Sequence, residues 1–366
     1  MKITSLRETL LKPLQTVSSV VERRQTSPIL ANTLINVTGK TLTLTGTDLE
    51  VEMVATAEVD CDEDGDITLP ARKLMDLCRT LPEGAKIEIT IEKDRATIRS
   101  GRSRFTLTSL PAVEYPNIDP IETPLSFRLP QIQLKHLIEQ TQFAMAQQDV
   151  RYYLNGLMLE VKPDRVTAVA TDGHRLALSA IATSTGVNEA RQIIVPRKGV
   201  IELHRLLEND ETPVEIQIGK NHIRLLLPSV TFTSKLIDGK FPDYQQVIPA
   251  NPGRAVIVNR SNLHQVFNRI AVLSNEKFRG MRLQLEKNLL HASVHNPEQE
   301  EAEEEIEVNY TGEEFEIGFN IGYFMDALSA IASDDVRISF TDSNHSCLVQ
   351  GVTDEQSRYV IMPMRL

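Results

Sequence analysis

Apolar positions along the chain change period in a fixed order, and the order recurs. Leu6, Leu10, Leu14, Val17 and Val21 follow steps of three and four, as do Leu134, Leu137, Ile138 and Thr141, and then Leu263, Val266, Phe267 and Ile270. The spacing predicts a one-sided helix near the start of each third. Pro13 falls inside the first pattern and is expected to kink that helix or move its start. Strands follow at 34–37, 157–161 and 281–285. Next comes a hairpin, clearest in residues 166–179, where Val166, Ala168 and Ala170 alternate into Leu176 and Leu178 across Asp172-Gly173, residues that tolerate positive φ.

The hairpin has counterparts at 42–53 and 290–301. Asp48, Asp172 and Asn296 stand 124 residues apart each time, and so do Asn32, Gly156 and Gly280. Stretches 69–81, 195–207 and 318–331 each read as a short strand running into a second helix. Closing strands are expected at 86–91, 96–99 and 105–107, at 214–218, 222–226 and 232–235, and at 336–340, 347–350 and 359–362. A fixed long period means a duplicated unit. We read an α+β fold of three tandem similar domains, 1–122, 123–250 and 251–366, joined near 120–124 and 249–252, each laying two helices on antiparallel sheet. Two such chains meeting head to tail would offer twelve helices. At about 9 Å between axes these make a circle roughly 34 Å across, with roughly 24 Å clear. Such a hole admits a DNA duplex.

Composition adds the setting. The chain has 366 residues, 41% of them hydrophobic, which is enough for two or three domain cores. Cys61, Cys78 and Cys347 are odd in number and unevenly spaced, which argues for a reducing compartment. No apolar run reaches about 18 residues, and Met1-Lys2-Ile3 leads into an amphipathic pattern instead of a signal peptide, so a cytoplasmic protein without a membrane partner is expected. The net charge of −11 argues against nucleic acid until its distribution is considered. Asp60, Asp62, Glu63, Asp64 and Asp66 form one acidic run, and Glu298, Glu300, Glu301, Glu303, Glu304, Glu305 and Glu307 another. They read as solvated loops or edges. The cations lie elsewhere: Arg7, Lys12, Lys135, His136 and Arg269 opposite the apolar stripes, and Arg72, Lys73, Arg79, Arg197, Lys198 and Arg205 on two of the second helices.

Catalytic chemistry finds no support. Asp172 and His174 flank a turn without a nucleophile beside them. His291, His295 and Glu298 imitate metal-ligand spacing, but four residues of strand span about 13 Å. Gly39-Lys40-Thr41 imitates a phosphate loop, yet Leu34 occupies the required first glycine and strands lie on both sides. No catalytic residue, metal or cofactor is assigned, and the chain is read as a non-enzyme.

Words running the whole length carry a resemblance: TGTDLE at 45–50, SGRSRFTL at 100–107, QDVRYYLNG at 148–156, ATDGHRLA at 170–177, VPRKGVIEL at 195–203, DGKFPDY at 238–244, SNEKFRG at 274–280, NPEQEEAEE at 296–304 and YVIMPMRL at 359–366. The sequence resembles the bacterial sliding clamps, the β subunits of DNA polymerase III. The resemblance implies the DNA clamp fold, closed as a head-to-tail homodimeric ring around double-stranded DNA without reading its sequence. It also implies partners that share one peptide-binding pocket: the polymerase III catalytic subunit, the clamp loader complex, and other replication and repair proteins bearing a clamp-binding motif.

Carried over by position, Arg24, Arg72, Gln148, Tyr152, Tyr153 and Arg197 are the candidate DNA contacts; on residue type alone the two tyrosines could equally be core aromatics at a strand start. The implied peptide pocket takes Leu154, Thr171, Gly173, His174, Arg175, Leu176, Pro242, Val247, Ser346, Val360, Met362, Pro363, Met364 and Arg365. Methionines suit varied partners, although Met362 and Met364 also fit a core. Gln246 departs from the basic residue common there in the family. The implied dimer seam sets Lys73, Arg102, Arg104, Phe105 and Leu107 against Val272, Leu273, Glu298, Glu300, Glu301 and Glu304 of the other copy; Phe105 would also fit its own core by strand alternation. Two rival readings remain on sequence: a repeat-built protein scaffold that never meets DNA, and a metal-dependent nuclease using the acidic runs.

Overall fold

The computed structural model describes residues 1–22, 27–92, 94–118, 125–250 and 252–365, so Arg24 and the expected linker at 120–124 lie outside the described residues. Six α-helices are found among the described residues: α1 Arg7–Val20, α2 Ala71–Thr80, α3 Gln131–Glu139, α4 Arg197–Leu206, α5 Arg260–Ile270 and α6 Ile321–Ala330. Three are the helices that the apolar spacing predicts at the start of each third, and three are the second helices expected in the repeated stretches 69–81, 195–207 and 318–331. α1 runs through Pro13, neither starting after it nor stopping at it. A proline removes one backbone donor, while Leu10, Leu14, Val17 and Val20 stay buried on the inner face, each such side chain contributing about 1.5–3 kcal/mol.

The chain packs as two compact bodies, Met1–Ile132 with Lys198–Leu236, and Gln133–Arg197 with Ile237–Leu366. All named strand pairings are antiparallel. The first body holds a five-stranded sheet ordered Asp60–Glu63, Lys2–Leu6, Lys86–Glu92, Arg95–Ser100, Ser103–Thr108. It also holds an eight-stranded sheet ordered Leu125–Pro130, Pro213–Ile218, His222–Leu226, Val230–Lys235, Val51–Glu58, Thr41–Thr47, Asn32–Thr38, Gly65–Pro70. The second body holds an eight-stranded sheet ordered Arg191–Pro196, Gly156–Lys162, Arg165–Thr171, Arg175–Ala182, Ser357–Ile361, Cys347–Gly351, Asp335–Phe340, Arg254–Asn259. Its other sheet is four-stranded: Glu301–Glu307, Leu289–His295, Gly280–Glu286, Phe315–Asn320.

Two rules organise these sheets. The strand that opens each third pairs with the first closing strand of the same third: Lys2–Leu6 with Lys86–Glu92, Leu125–Pro130 with Pro213–Ile218, Arg254–Asn259 with Asp335–Phe340. The last closing strand of one third then pairs with the second hairpin strand of the third before it. Phe232 faces Met53, and Val360 faces Leu176. That second rule leaves two strands without a partner, the last closing strand of the first third, Ser103–Thr108, and the second hairpin strand of the last third, Glu301–Glu307, and each lies at the edge of its sheet. Of the two acidic runs, Asp60–Glu63 and Glu301–Glu307 are indeed edge strands, where charge discourages stray pairing.

The hairpin turns repeat side chain by side chain. Asp48 Oδ1 accepts the N–H groups of Glu50 and Val51, and Thr47 Oγ1 accepts from Leu49 and donates to the carbonyl of Val51. Asp172 and Thr171 do the same for His174, Arg175 and Gly173. Each turn needs one residue in the left-handed region: Gly173 at φ 88 satisfies it freely, and Leu49 at φ 77 against its preference. The third hairpin has a longer turn, closed by Asn296 to Glu300. Gly46 has a different task. A Cβ there would sit 2.3 Å from the carbonyl oxygen of Val17, so glycine lets α1 lie directly on its strand.

Candidate functional site

The second body carries an apolar cluster of buried and half-buried side chains, termed the hollow below, built on alternate residues of one sheet face. Met158, Val169, Leu176, Leu178, Leu348 and Val360 form the floor, Phe241 and Tyr244 pack on it, and Val247, Ile248 and Tyr153 close its margin. Leu154 joins this cluster from the turn Tyr152–Leu154. Four of the expected pocket residues, Leu154, Leu176, Val247 and Val360, are thus brought together. Phe241 and Leu348 were not anticipated, since neither stands out from an ordinary core residue in sequence.

One rim is held by arginines. Arg175 Nε binds Asp172 Oδ2 at 3.1 Å, its Nη1 binds Asp326 Oδ2 at 2.5 Å and its Nη2 donates to the carbonyl of Phe143 at 2.7 Å. Its guanidinium also lies 5.4 Å from the ring of Phe143 and 4.6 Å from that of Tyr323. Arg151, missed in the sequence, is braced by Asp149 and donates to the carbonyl of Asp172. The Arg151 hydrogen bonds hold the Asp149 carboxyl down at about 2. Gly173 leaves that guanidinium its place, because a Cβ there would meet both terminal nitrogens at 2.8 Å. His174 is exposed and its carbonyl accepts the N–H of Met362 at 2.9 Å, bringing the chain's last strand to this rim. Asp172 is wholly engaged by the turn and Arg175, so it does not serve His174 as a catalytic partner.

Met362 is 40% exposed, Pro242 is exposed and Ser346 is half-buried. Pro363 is also half-buried, while Met364 N–H donates to the carbonyl of Gly318, and Met364 and Arg365 line a separate cavity of 430 Å³ with Asn275 and Phe278. The structure therefore does not bring Met364 and Arg365 into the Leu176 cluster. Gln246 donates to Asp243 at 2.9 Å.

The candidate DNA contacts divide. Gln148 and Tyr152 are exposed, whereas Tyr153 packs on the apolar cluster and meets Tyr152 edge to face at 5.9 Å. Arg72 donates to the carbonyl of Val21 at 2.7 Å and Arg197 to that of Met145 at 3.3 Å. These are repeat-equivalent clasps, each from the start of a second helix to the chain beyond a first helix.

Among the seam candidates, Lys73, Arg102 and Arg104 are exposed, and Phe105 and Leu107 are half-buried on the unpaired strand Ser103–Thr108. In the second body Val272 is 79% exposed, Leu273 half-buried, and Glu298, Glu300 and Glu301 exposed. Glu304 is instead taken by Arg269 through two bonds of 2.6 Å, which hold its carboxyl below the usual range.

Glu160, only 6% exposed, accepts from Tyr244 at 2.9 Å, Gln192 at 2.8 Å and Lys162 at 2.7 Å, fixing the wall of the hollow. Burial pushes its pKa up, but these bonds outweigh burial and the net shift is downward. A depressed carboxylate stabilises the fold fully above its unfolded value, near 4 to 4.5, and the contribution is lost as pH falls through the folded value. Glu160→Gln is therefore expected to cost on the order of 1 kcal/mol near neutral pH and progressively less in acid. Urea melts of both proteins over descending pH check this; a gap that widens in acid would contradict it.

Among the described residues no group of three or more His, Cys, Asp or Glu side chains could hold a metal ion, and no helix is long and apolar enough to cross a membrane. Sequence models of the N-terminal, central and C-terminal domains of the DNA polymerase III beta subunit match residues 1–119, 128–243 and 245–365. The chain belongs to the DNA polymerase III beta subunit family. It is 51% identical to the beta sliding clamps of Pseudomonas aeruginosa and of Escherichia coli K12, over all of this chain and all of each relative. A crystal structure of the Pseudomonas aeruginosa sliding clamp bound to griselimycin superposes with a TM-score of 0.97 at 51% identity, covering both chains completely. As a beta subunit the chain has the DNA clamp fold, in which three similar domains each lay two helices on antiparallel sheet. It is a polymerase processivity factor and not an enzyme.

Proposed function

We propose that two copies of this chain close head to tail into a ring around duplex DNA in the cytoplasm, and that the apolar hollow of the second body receives short peptides from the proteins the ring carries. One observation carries the ring. In two sheets the last closing strand of one third pairs with the second hairpin strand of the preceding third, and the two strands left over are the missing halves of the same pairing. Ser103–Thr108 of one copy would pair with Glu301–Glu307 of the other. Arg102 and Arg104, with Lys73 nearby, would meet Glu298, Glu300 and Glu301; Phe105 and Leu107 would cover Val272 and Leu273. Such a contact joins unlike surfaces, so it closes only as a ring or runs on as a filament. We assign domains 1–122, 123–250 and 251–366 within each copy.

Enclosure supplies the hold on DNA, so phosphate contacts can stay weak and blind to sequence. Arg72 and Arg197 each spend a donor on a backbone carbonyl and keep others for phosphate. Gln148, Tyr152, Tyr153 and Arg24 complete the proposed set of DNA contacts. The polymerase III catalytic subunit, the clamp loader and other motif-bearing proteins are the partners of the peptide hollow, for which griselimycin is a ready probe. The deciding experiment loads the protein with a matched loader onto a nicked circular plasmid: the protein is expected to stay bound through gel filtration and to be released when the plasmid is cut. Equal retention on cut and circular DNA would exclude encirclement. No retention on either would favour a scaffold that never meets DNA.

A further inference from the structure

On a strand, side chains two residues apart share a face at about 6.8 Å. Leu176 and Val360 are cross-strand partners on the floor of the hollow. One step along the same face Leu178 lies opposite Arg358, a second step brings Ala180 opposite Thr167, and a third brings Ala182 opposite Arg165. The face continues into a cavity of 530 Å³ that shares Leu178, Tyr244 and Ile248 with the hollow; Ala180, Pro249 and Ala250 add small apolar surface, and the other lining side chains are polar or charged. Arg165 and Arg358 are exposed on its walls, and among the described residues no hydrogen bond or ion pair engages either. Glu355 is the acidic residue of the lining. The nearby carboxylate of Glu160 is already satisfied by Tyr244, Gln192 and Lys162 and draws on neither arginine.

We propose that this cavity is a second recess of the peptide site, in which Arg165 and Arg358 hold acidic residues flanking a partner's apolar anchor. The proposal rests on the peptide reading of the hollow. Distance along the strand sets the spacing: Arg358 lies roughly 7 Å and Arg165 roughly 20 Å from Leu176, so an extended peptide reaches them about two to six residues from its anchor. A pair of unpartnered cations on a chain of net charge −11 selects acidic partners locally while the rest of the surface repels them.

The test uses the full chain and synthetic peptides sharing one Leu- and Phe-containing anchor, with Asp-rich or Ser-rich tails on either end, competed against fluorescent griselimycin. At low salt the Asp-tailed peptide in the favoured orientation is expected to bind roughly five- to tenfold tighter than its Ser-tailed twin. The preference should vanish in the double variant Arg165→Ala, Arg358→Ala and reverse in Arg165→Glu, Arg358→Glu, while griselimycin binds all three proteins alike. Equal binding of the Asp and Ser tails, or a preference that survives the alanine variant, overturns the recess and leaves the hollow standing. Failure of griselimycin and every peptide to bind the unaltered chain would instead overturn the hollow itself.

Discussion

Phe105→Asp is expected to turn the dimer into monomers and abolish retention on circular DNA. Phe105 lies half-buried on a strand whose outer edge has no neighbour within the chain, so in the ring a carboxylate there would be buried without a partner. A single central aromatic of an interface commonly carries 2 kcal/mol or more, and an unpaired buried charge adds to that. The dimer dissociation constant should rise by at least about 100-fold, as read by light scattering over a dilution series. The monomer itself should melt close to the parent. Reversing Arg102 and Arg104 should cost less and respond to salt, since exposed ion pairs contribute about 0–1 kcal/mol each. Dimers that persist at nanomolar concentration in Phe105→Asp would put the seam elsewhere.

Arg175→Ala is expected to damage fold and peptide binding together. The side chain is 13% exposed and joins Asp172, Asp326 and the carbonyl of Phe143 while lying over the rings of Phe143 and Tyr323. Removing it strands two carboxylates and one carbonyl, at a cost of about 2–4 kcal/mol. Griselimycin affinity should fall by at least about tenfold as the turn bearing His174 and the strand pairing of Leu176 loosen. Arg175→Lys should recover little of either, because one ammonium cannot span three acceptors and two ring faces. Full recovery by lysine would reduce the role of Arg175 to its charge.

Much of this architecture was legible in sequence because its signals are local. Three-and-four spacing set the first helix of each third, the recurring stretches 69–81, 195–207 and 318–331 set the second, and alternation across Asp172-Gly173 set the hairpin. The strands that open each third were missed for the same reason: Lys2–Leu6, Leu125–Pro130 and Arg254–Asn259 run directly into helices, so Leu6 was counted on the helical stripe. Strand exchange between thirds was invisible, since nothing in the local pattern of Val230–Lys235 names Val51–Glu58 as its neighbour. Among site residues Leu154, Leu176, Val247 and Val360 followed from the resemblance, while Phe241 and Leu348 did not stand out from ordinary core residues. The second lives of Arg72, Arg197 and Glu304, each bonded within its own chain, did not follow either, because a cation or acid in sequence does not declare its acceptor or donor. Tyr153 is half-buried against the apolar cluster while its neighbour Tyr152 is exposed, a difference that residue type alone does not declare.

The twin turns at Asp48 and Asp172 share the same Asp and Thr side-chain bonds, and they part company at one Cβ. Where the first has Leu49, the second has a glycine that admits the guanidinium of Arg151, whose repeat counterpart is Ser27. A recognition surface has thus been written onto a scaffold already present in duplicate, and the unwritten copy remains a blank template. Transplanting the pair, Leu49→Gly with Ser27→Arg, is the natural first edit for anyone wishing to engineer a second docking station per subunit.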